Sequence, residues 1–153
     1  MHIPRSHRLR IGRVSLRNGV YLCTAKTIDR EPLFHDLFAG RLVVRALKGC
    51  DDQGLTDTFA FVVMPDHFHW LFQLVGTDCL SAIVRRAKST SAREVNRHLR
   101  RDRPVWQPGF HDHGVRTEES LMEIGRYVVL NPVRGGLVRS LRAYALWDAK
   151  WVR

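Results

Sequence analysis

The chain lacks the features that would make it a disulfide-stapled, nucleotide-hydrolysing or membrane-spanning protein. Its three cysteines, Cys23, Cys50 and Cys79, are widely spaced and form no Cys-x-x-Cys pair, so neither a zinc ribbon nor a disulfide framework is supported and free thiols are expected. There is no Gly-x-x-x-x-Gly-Lys loop, so any chemistry must run without a nucleotide site of that type. No apolar run approaches the roughly 18 residues of a spanning helix, and residues 1–20 lack the apolar centre of a signal peptide. The expectation is a soluble, intracellular protein with no membrane partner. Acidic residues are also scarce: 15 Asp and Glu stand against 25 Lys and Arg, a formal net charge of +10. Such an imbalance points to a polyanionic partner, nucleic acid first. Internal repeats and low-complexity segments are missing too, and 153 residues with 44% hydrophobic content suit one core and one domain.

What is present centres on Phe59 to Leu74, FAFVVMPDHFHWLFQL. An apolar run rich in aromatic and β-branched residues reaches Met64, turn chemistry interrupts it at Met64-Pro65-Asp66, and a second run begins at His67, the pattern of a β-hairpin. In the second run His67, His69, Leu71 and Gln73 project to one face, and Phe68, Trp70, Phe72 and Leu74 to the other. The aromatic face reads as core and the histidine face as the working face. Two imidazoles about 7 Å apart along a strand can converge on one metal ion, although an isolated His-x-His is more often surface or satisfied core. A partner elsewhere in the chain has to decide.

Residues 1–17 carry five arginines and no acid, either an arm for phosphates or a solvated terminus. Val20 to Ile28 has strand composition, and a helical pattern runs from about Asp36 to Lys48, with Leu37, Val44 and Leu47 on one face and Gly49 as its stop. From Leu80 a second helical period brings Leu80, Ile83, Val84, Ala87, Ser91, Val95 and Leu99 together. Residues 80–103 hold eight Lys or Arg against two acids, and Arg86, Arg93, Arg97 and Arg100 share the flank opposite the apolar one, read as phosphate-facing or as simply solvated. Trp106 to Gly114 is an aromatic, Gly-bearing connection with a second pair, His111 and His113, suited to metal, nucleic-acid or surface contact. Thr117-Glu118-Glu119 then caps a helix with Leu121, Ile124 and Val128 as its buried stripe. Glu123, Tyr127 and Asn131 follow one another at i, i+4 and i+8, and Pro132 disfavours helix at Asn131, so Tyr127 and Asn131 are expected in the last turn. Leu137 to Arg153 reads as a basic tail with Tyr144, Trp147 and Trp151.

Three segments in this order, MPDHFHWL (Met64–Leu71), WQPGFHDHGVR (Trp106–Arg116) and YVVLNPVRGGLV (Tyr127–Val138), resemble the REP-associated tyrosine transposases, an IS200-like group within the single-tyrosine HUH transposases. One departure is Leu22 after Tyr21, where relatives often carry a histidine. The resemblance implies an α+β fold of HUH endonuclease type, a ferredoxin-like antiparallel sheet with helices packed on one face. It further implies a divalent ion, Mg²⁺ or Mn²⁺, on His67, His69 and Asn131, with Tyr127 as the nucleophile of a 5′-phosphotyrosine intermediate. The expected substrate is single-stranded DNA with hairpins like those of repetitive extragenic palindromes, cleaved and rejoined without a nucleotide cofactor by a bacterial, nucleoid-associated monomer or homodimer. Candidate DNA contacts are Arg86, Arg93, Arg97, Arg100, Trp106, His113 and Arg116, with Trp106, Phe110 and the C-terminal tryptophans as candidate stacking platforms. A phenol with an ordinary pKa near 10 needs a nearby cation or base to attack phosphorus, and a metal held by two imidazoles and an amide keeps positions open for phosphate oxygens. The competing readings are a non-catalytic nucleic-acid-binding module of the same fold, which leaves the His, His, Tyr, Asn set as coincidence, and a relaxase or replication initiator with the same cleavage chemistry.

Overall fold

The computed structural model describes residues 18–151, so the arginine-rich arm expected over residues 1–17 lies outside the described residues. The strands are β1 (Val20–Lys26), β2 (Thr56–Met64), β3 (His67–Leu74), β4 (His111–Val115) and β5 (Trp147–Ala149). The helices are α1 (Leu37–Asp52), α2 (Leu80–Leu99), α3 (Glu118–Val129) and the short α4 (Asn131–Arg134). The strands form one antiparallel sheet in the order β4-β1-β3-β2-β5. The first four strands with α1 and α2 give the β-α-β-β-α-β arrangement of ferredoxin-like folds, the α+β class expected.

The hairpin forms as the residues require. Met64 pairs with His67 across a two-residue turn, Pro65-Asp66, where a residue without an N–H removes no ladder bond. Backbone from the preceding loop pins that turn: Phe34 N–H donates to the Pro65 carbonyl at 3.0 Å and Thr27 N–H to the Asp66 carbonyl at 2.9 Å.

β3 lies between β1 and β2, and its two faces have different fates. Phe68, Trp70, Phe72 and Leu74 pack under Val43 and Leu47 of α1 and Ile83, Val84, Ala87 and Val95 of α2. Trp70 is fully buried there and donates its indole N–H to Thr58 Oγ1 at 2.9 Å. The other face is not left bare. Leu22, Ala60, Val62, Met64 and Leu71 are covered by Ile124, Val128 and Val129 of α3. The expectation of helices on one face therefore holds for α1 and α2 and is corrected for α3, because an apolar strip of this size has to be removed from water.

One other expectation changes. α1 does not stop at Gly49 but runs to Asp52, burying Cys50 on the stripe of Leu42, Val43, Ala46 and Leu47, while Leu37 is 45% exposed. An isolated glycine costs a helix only about 1 kcal/mol, less than burial along a continuing stripe returns. The turn that ends it falls at Gly54, whose φ of 74° suits glycine. Within the basic tail, residues 144–149 are tied to β2. Val63 N–H donates to the Leu146 carbonyl at 2.9 Å, the Tyr144 hydroxyl donates to the Val63 carbonyl at 2.6 Å, and β5 then pairs with β2. These bonds satisfy a strand edge that would otherwise present unpaired backbone groups.

Tyr144→Phe keeps the ring and removes that donor from Val63, so it should lower unfolding free energy by about 1–2 kcal/mol with an unchanged far-ultraviolet spectrum. An unaltered urea midpoint would show that the hydroxyl does not secure the tail.

Candidate active site

The site begins with the alternation of β3, which puts His67 and His69 side by side with ring centroids 5.0 Å apart and ring planes at 84°. Each ring is held at Nδ1. His67 Nδ1 lies 2.7 Å from Asp66 Oδ1, and the other oxygen of Asp66 accepts from Arg30 Nε at 2.9 Å. An ionised carboxylate can only accept, so the proton sits on His67 Nδ1 and the lone pair on Nε2. His69 Nδ1 lies 2.7 Å from Thr24 Oγ1, the residue opposite it on β1, and with that hydroxyl as acceptor its Nε2 also carries a lone pair. An oxygen behind each imidazole is the usual support of metal-binding histidines.

Electrostatics favour the same protonation states. Burial first, then the charge of His67, Arg134 and Lys26, pushes the His69 imidazolium down to about 3. Burial also lowers His67, against the opposing pull of Asp66. Burial alone would raise the Asp66 carboxyl, but hydrogen bonds from His67 and Arg30 outweigh it and hold the group below the usual carboxylate range. Both imidazoles are therefore neutral at pH 7, the form that ligates a cation. Among the described residues no three His, Cys, Asp or Glu side chains are grouped to hold a metal ion.

The three tyrosines differ sharply. Tyr21 is 7% exposed in the core beneath α1 and α2, and Tyr144 is engaged with Val63, its phenol pushed up to about 12 by burial. Tyr127 is 49% exposed on α3, next to Val128, which packs on the histidine face. The Arg134 guanidinium lies 3.8 Å above the centre of its ring. Asn131 is not in the last turn of α3 as expected. That helix ends at Val129, Leu130 (φ −84°, ψ 1°) breaks it, and Asn131 opens α4. Pro132 is accommodated because it falls in the first turn of a new helix, where its missing N–H is not needed. α4 is docked on the hairpin: Pro132 is buried, and a Cβ added to Gly135 would lie 3.6 Å from the Met64 side chain, the residue paired with His67.

The candidate DNA contacts are scattered. Arg86, Arg93 and Arg97 are exposed on α2, which packs on the aromatic face, so the sheet separates them from the histidines. Arg86 donates to Gln53 Oε1 at 3.0 Å, Arg97 lies 3.4 Å from Glu94, and Arg100 caps α2 with φ 53°. Trp106 is corrected: it is 7% exposed, donates its indole N–H to Ser91 Oγ at 3.0 Å and packs on Phe34 and Phe68, so it is core and offers no stacking platform. Phe110 is likewise buried, at 8%. Trp147 donates to the Leu141 carbonyl at 3.1 Å, and Trp151 stacks on Phe59. His111 and His113, by contrast, pair with Thr24 and Leu22 and share the face of His67 and His69, while Arg116 is exposed just beyond β4. Reading the sequence missed Asp66, Arg30, Thr24 and Arg134. Asp66 could have been found from its place beside His67; the others meet the site only through register and packing.

With this geometry in place, the similarities to known proteins are informative. The family model described as "Transposase IS200 like" matches residues 18–131. A Haemophilus influenzae protein described as a REP-associated tyrosine transposase is 30% identical over 136 residues, spanning 82% of this chain and 77% of that protein. The Escherichia coli REP-associated tyrosine transposase is 30% identical over 83 residues, 54% of this chain and 47% of that protein. The solved structure of a REP-associated tyrosine transposase bound to a REP hairpin shares the fold, with a TM-score of 0.74 at 22% identity over 88% of this chain and 79% of that one.

Because the folded-state pKa of His69 is depressed, the unfolded chain binds the extra proton, and its contribution to stability is complete above pH 6.5 and is lost as pH falls toward about 3. Unfolding free energy should therefore drop by roughly 1 kcal/mol per pH unit between about pH 6 and 4 from this residue alone. His69→Gln should flatten the dependence by that amount in urea titrations at pH 6, 5 and 4; an equal slope in parent and variant would refute the assignment.

Proposed function

This chain belongs to the IS200-like transposase family, and from that premise we propose that it cleaves and rejoins single-stranded DNA through a covalent tyrosine intermediate. The observation that carries the reading is Tyr127: of three tyrosines it is the exposed one, it lies on the helix that packs on the histidine face, and a guanidinium lies over its ring. In the proposed step Tyr127 Oη attacks phosphorus, the Oη–P bond forms and the P–O3′ bond breaks. The phenolic proton passes to solvent and the departing 3′-oxygen takes one up. Atoms and charge balance without oxidant or nucleotide, and the phosphotyrosine diester conserves the bond energy for rejoining.

The residues fit a resident divalent cation. Two neutral imidazoles present Nε2 to one face, each supported at Nδ1, and Asn131 opens the segment docked on the histidine hairpin. Mg²⁺ or Mn²⁺ held by His67, His69 and the Asn131 amide would supply positive charge to the scissile phosphate oxygens. The protein's own contribution is to keep both imidazoles neutral and to present an exposed phenol.

The proposed substrate is a single strand with a hairpin, consistent with the hairpin bound by the structural relative. His113 and Arg116 border the histidine face and suit the strand near the reacting phosphate. Arg86, Arg93, Arg97 and Arg100 add sequence-independent attraction from the far side of the sheet.

Incubation with a labelled hairpin oligonucleotide and Mn²⁺ should give an adduct that survives denaturation, and mass spectrometry should find the nucleotide on the Tyr127 peptide. Tyr127→Phe should abolish the adduct while changing hairpin affinity by less than about twofold. A label on Tyr21 or Tyr144, or adduct at the parent rate in Tyr127→Phe, defeats the mechanism. For the cation, Asp66→Ala should weaken Mn²⁺ binding about 10- to 100-fold by calorimetry, as loss of a histidine's supporting carboxylate does. Undiminished affinity would mean that His67 is not a ligand held by Asp66.

A further inference from the structure

Arg134 is distinguished by what it touches. Among the described residues Arg30, Arg97, Arg101 and Arg103 pair with carboxylates, whereas Arg134 forms no ion pair and lies with its guanidinium 3.8 Å over the Tyr127 ring. Its backbone is not free to choose this position. Arg134 N–H donates to the Leu130 carbonyl at 3.0 Å, Gly135 N–H to the Asn131 carbonyl at 2.8 Å and Leu137 N–H to the Pro132 carbonyl at 3.0 Å. With Pro132 buried and Gly135 against Met64, the segment is anchored to the histidine hairpin. The break at Leu130 thus sets a guanidinium over the phenol.

A guanidinium that stacks through its plane keeps its N–H edge for acceptors, and that fork matches two oxygens of a phosphate. We propose that Arg134 is a catalytic residue that works with Tyr127: held over the ring, it fixes the orientation of the phenol, and its N–H edge binds the non-bridging oxygens of the phosphodiester under attack. The same contact persists on the phosphotyrosine diester and so serves the rejoining step. Arg134 itself exchanges no proton and forms no covalent bond; the bonds made and broken are those of Tyr127 with phosphorus and of phosphorus with the 3′-oxygen. This inference rests on Tyr127 being the nucleophile.

The test compares the full chain with its Arg134→Lys and Arg134→Gln variants on the labelled hairpin oligonucleotide with Mn²⁺. Lysine keeps the charge but loses the planar face and the fork, so single-turnover adduct formation should slow about tenfold, and about a hundredfold in Arg134→Gln, with hairpin affinity of the lysine variant within about twofold of the parent. Spectra of ring-¹³C-labelled tyrosine give a readout independent of activity. The Tyr127 resonance, identified by its loss in Tyr127→Phe, should move in both variants while those of Tyr21 and Tyr144 stay in place. Parent-rate adduct in Arg134→Gln would overturn the role of Arg134 and leave Tyr127 standing. Displacement of all three resonances together with a fallen melting temperature would show Arg134 to be merely structural. A parent chain that forms no adduct would remove the nucleophile and, with it, this inference.

Discussion

The constraint on which the rest depends is the two-sided environment of β3. Because successive residues of a strand point to opposite faces, one eight-residue segment supplies both the aromatic core and the histidine pair. Pairing with β1 and β2 along its length forbids a one-residue slip, which would exchange the two sets. Phe68, Trp70 and Phe72, all fully buried, are thus the reason His67 and His69 face the other way.

That second face is shared between packing and chemistry. Leu22, Val62 and Leu71 draw α3 down onto it, and the buried side of α3 determines where its exposed side, with Tyr127, will stand. Burial also lowers both imidazoles, so the apolar cover that anchors α3 helps keep the histidines uncharged. Stability and the state of the site come from the same contacts. The pinned hairpin turn works similarly: Pro65 and Asp66 are held through their carbonyls, which leaves the Asp66 carboxylate to bridge Arg30 and His67.

The distribution of charge has a plainer logic. A net +10 cannot be concentrated at one small site, and the arginines of α2 lie across the sheet from the histidines. Long-range attraction to a polyanion does not need contact with the reacting atoms. Arg134, at the end of α4, lies instead directly over the Tyr127 ring.

The sequence by itself determined the hairpin, the division of β3 into aromatic and histidine faces, the periodicity of α2 and the Thr117 cap that accepts from Ser120 N–H at 3.1 Å. These rest on interactions between near neighbours, which period and turn chemistry express directly. The nucleophile candidate and the histidine pair were legible too, through three segments in order. Tertiary structure alone decided the rest. Trp106 became core because α2 turns Ser91 toward its indole, and the tail became β5 because β2 had an edge to pair. Gly49 stayed helical because Cys50 could be buried beyond it. Thr24 met His69 through strand register, and Arg134 met Tyr127 through the break at Leu130. Each of these depends on partners distant in the chain or on a bend between helices, and no local pattern of residue types encodes either.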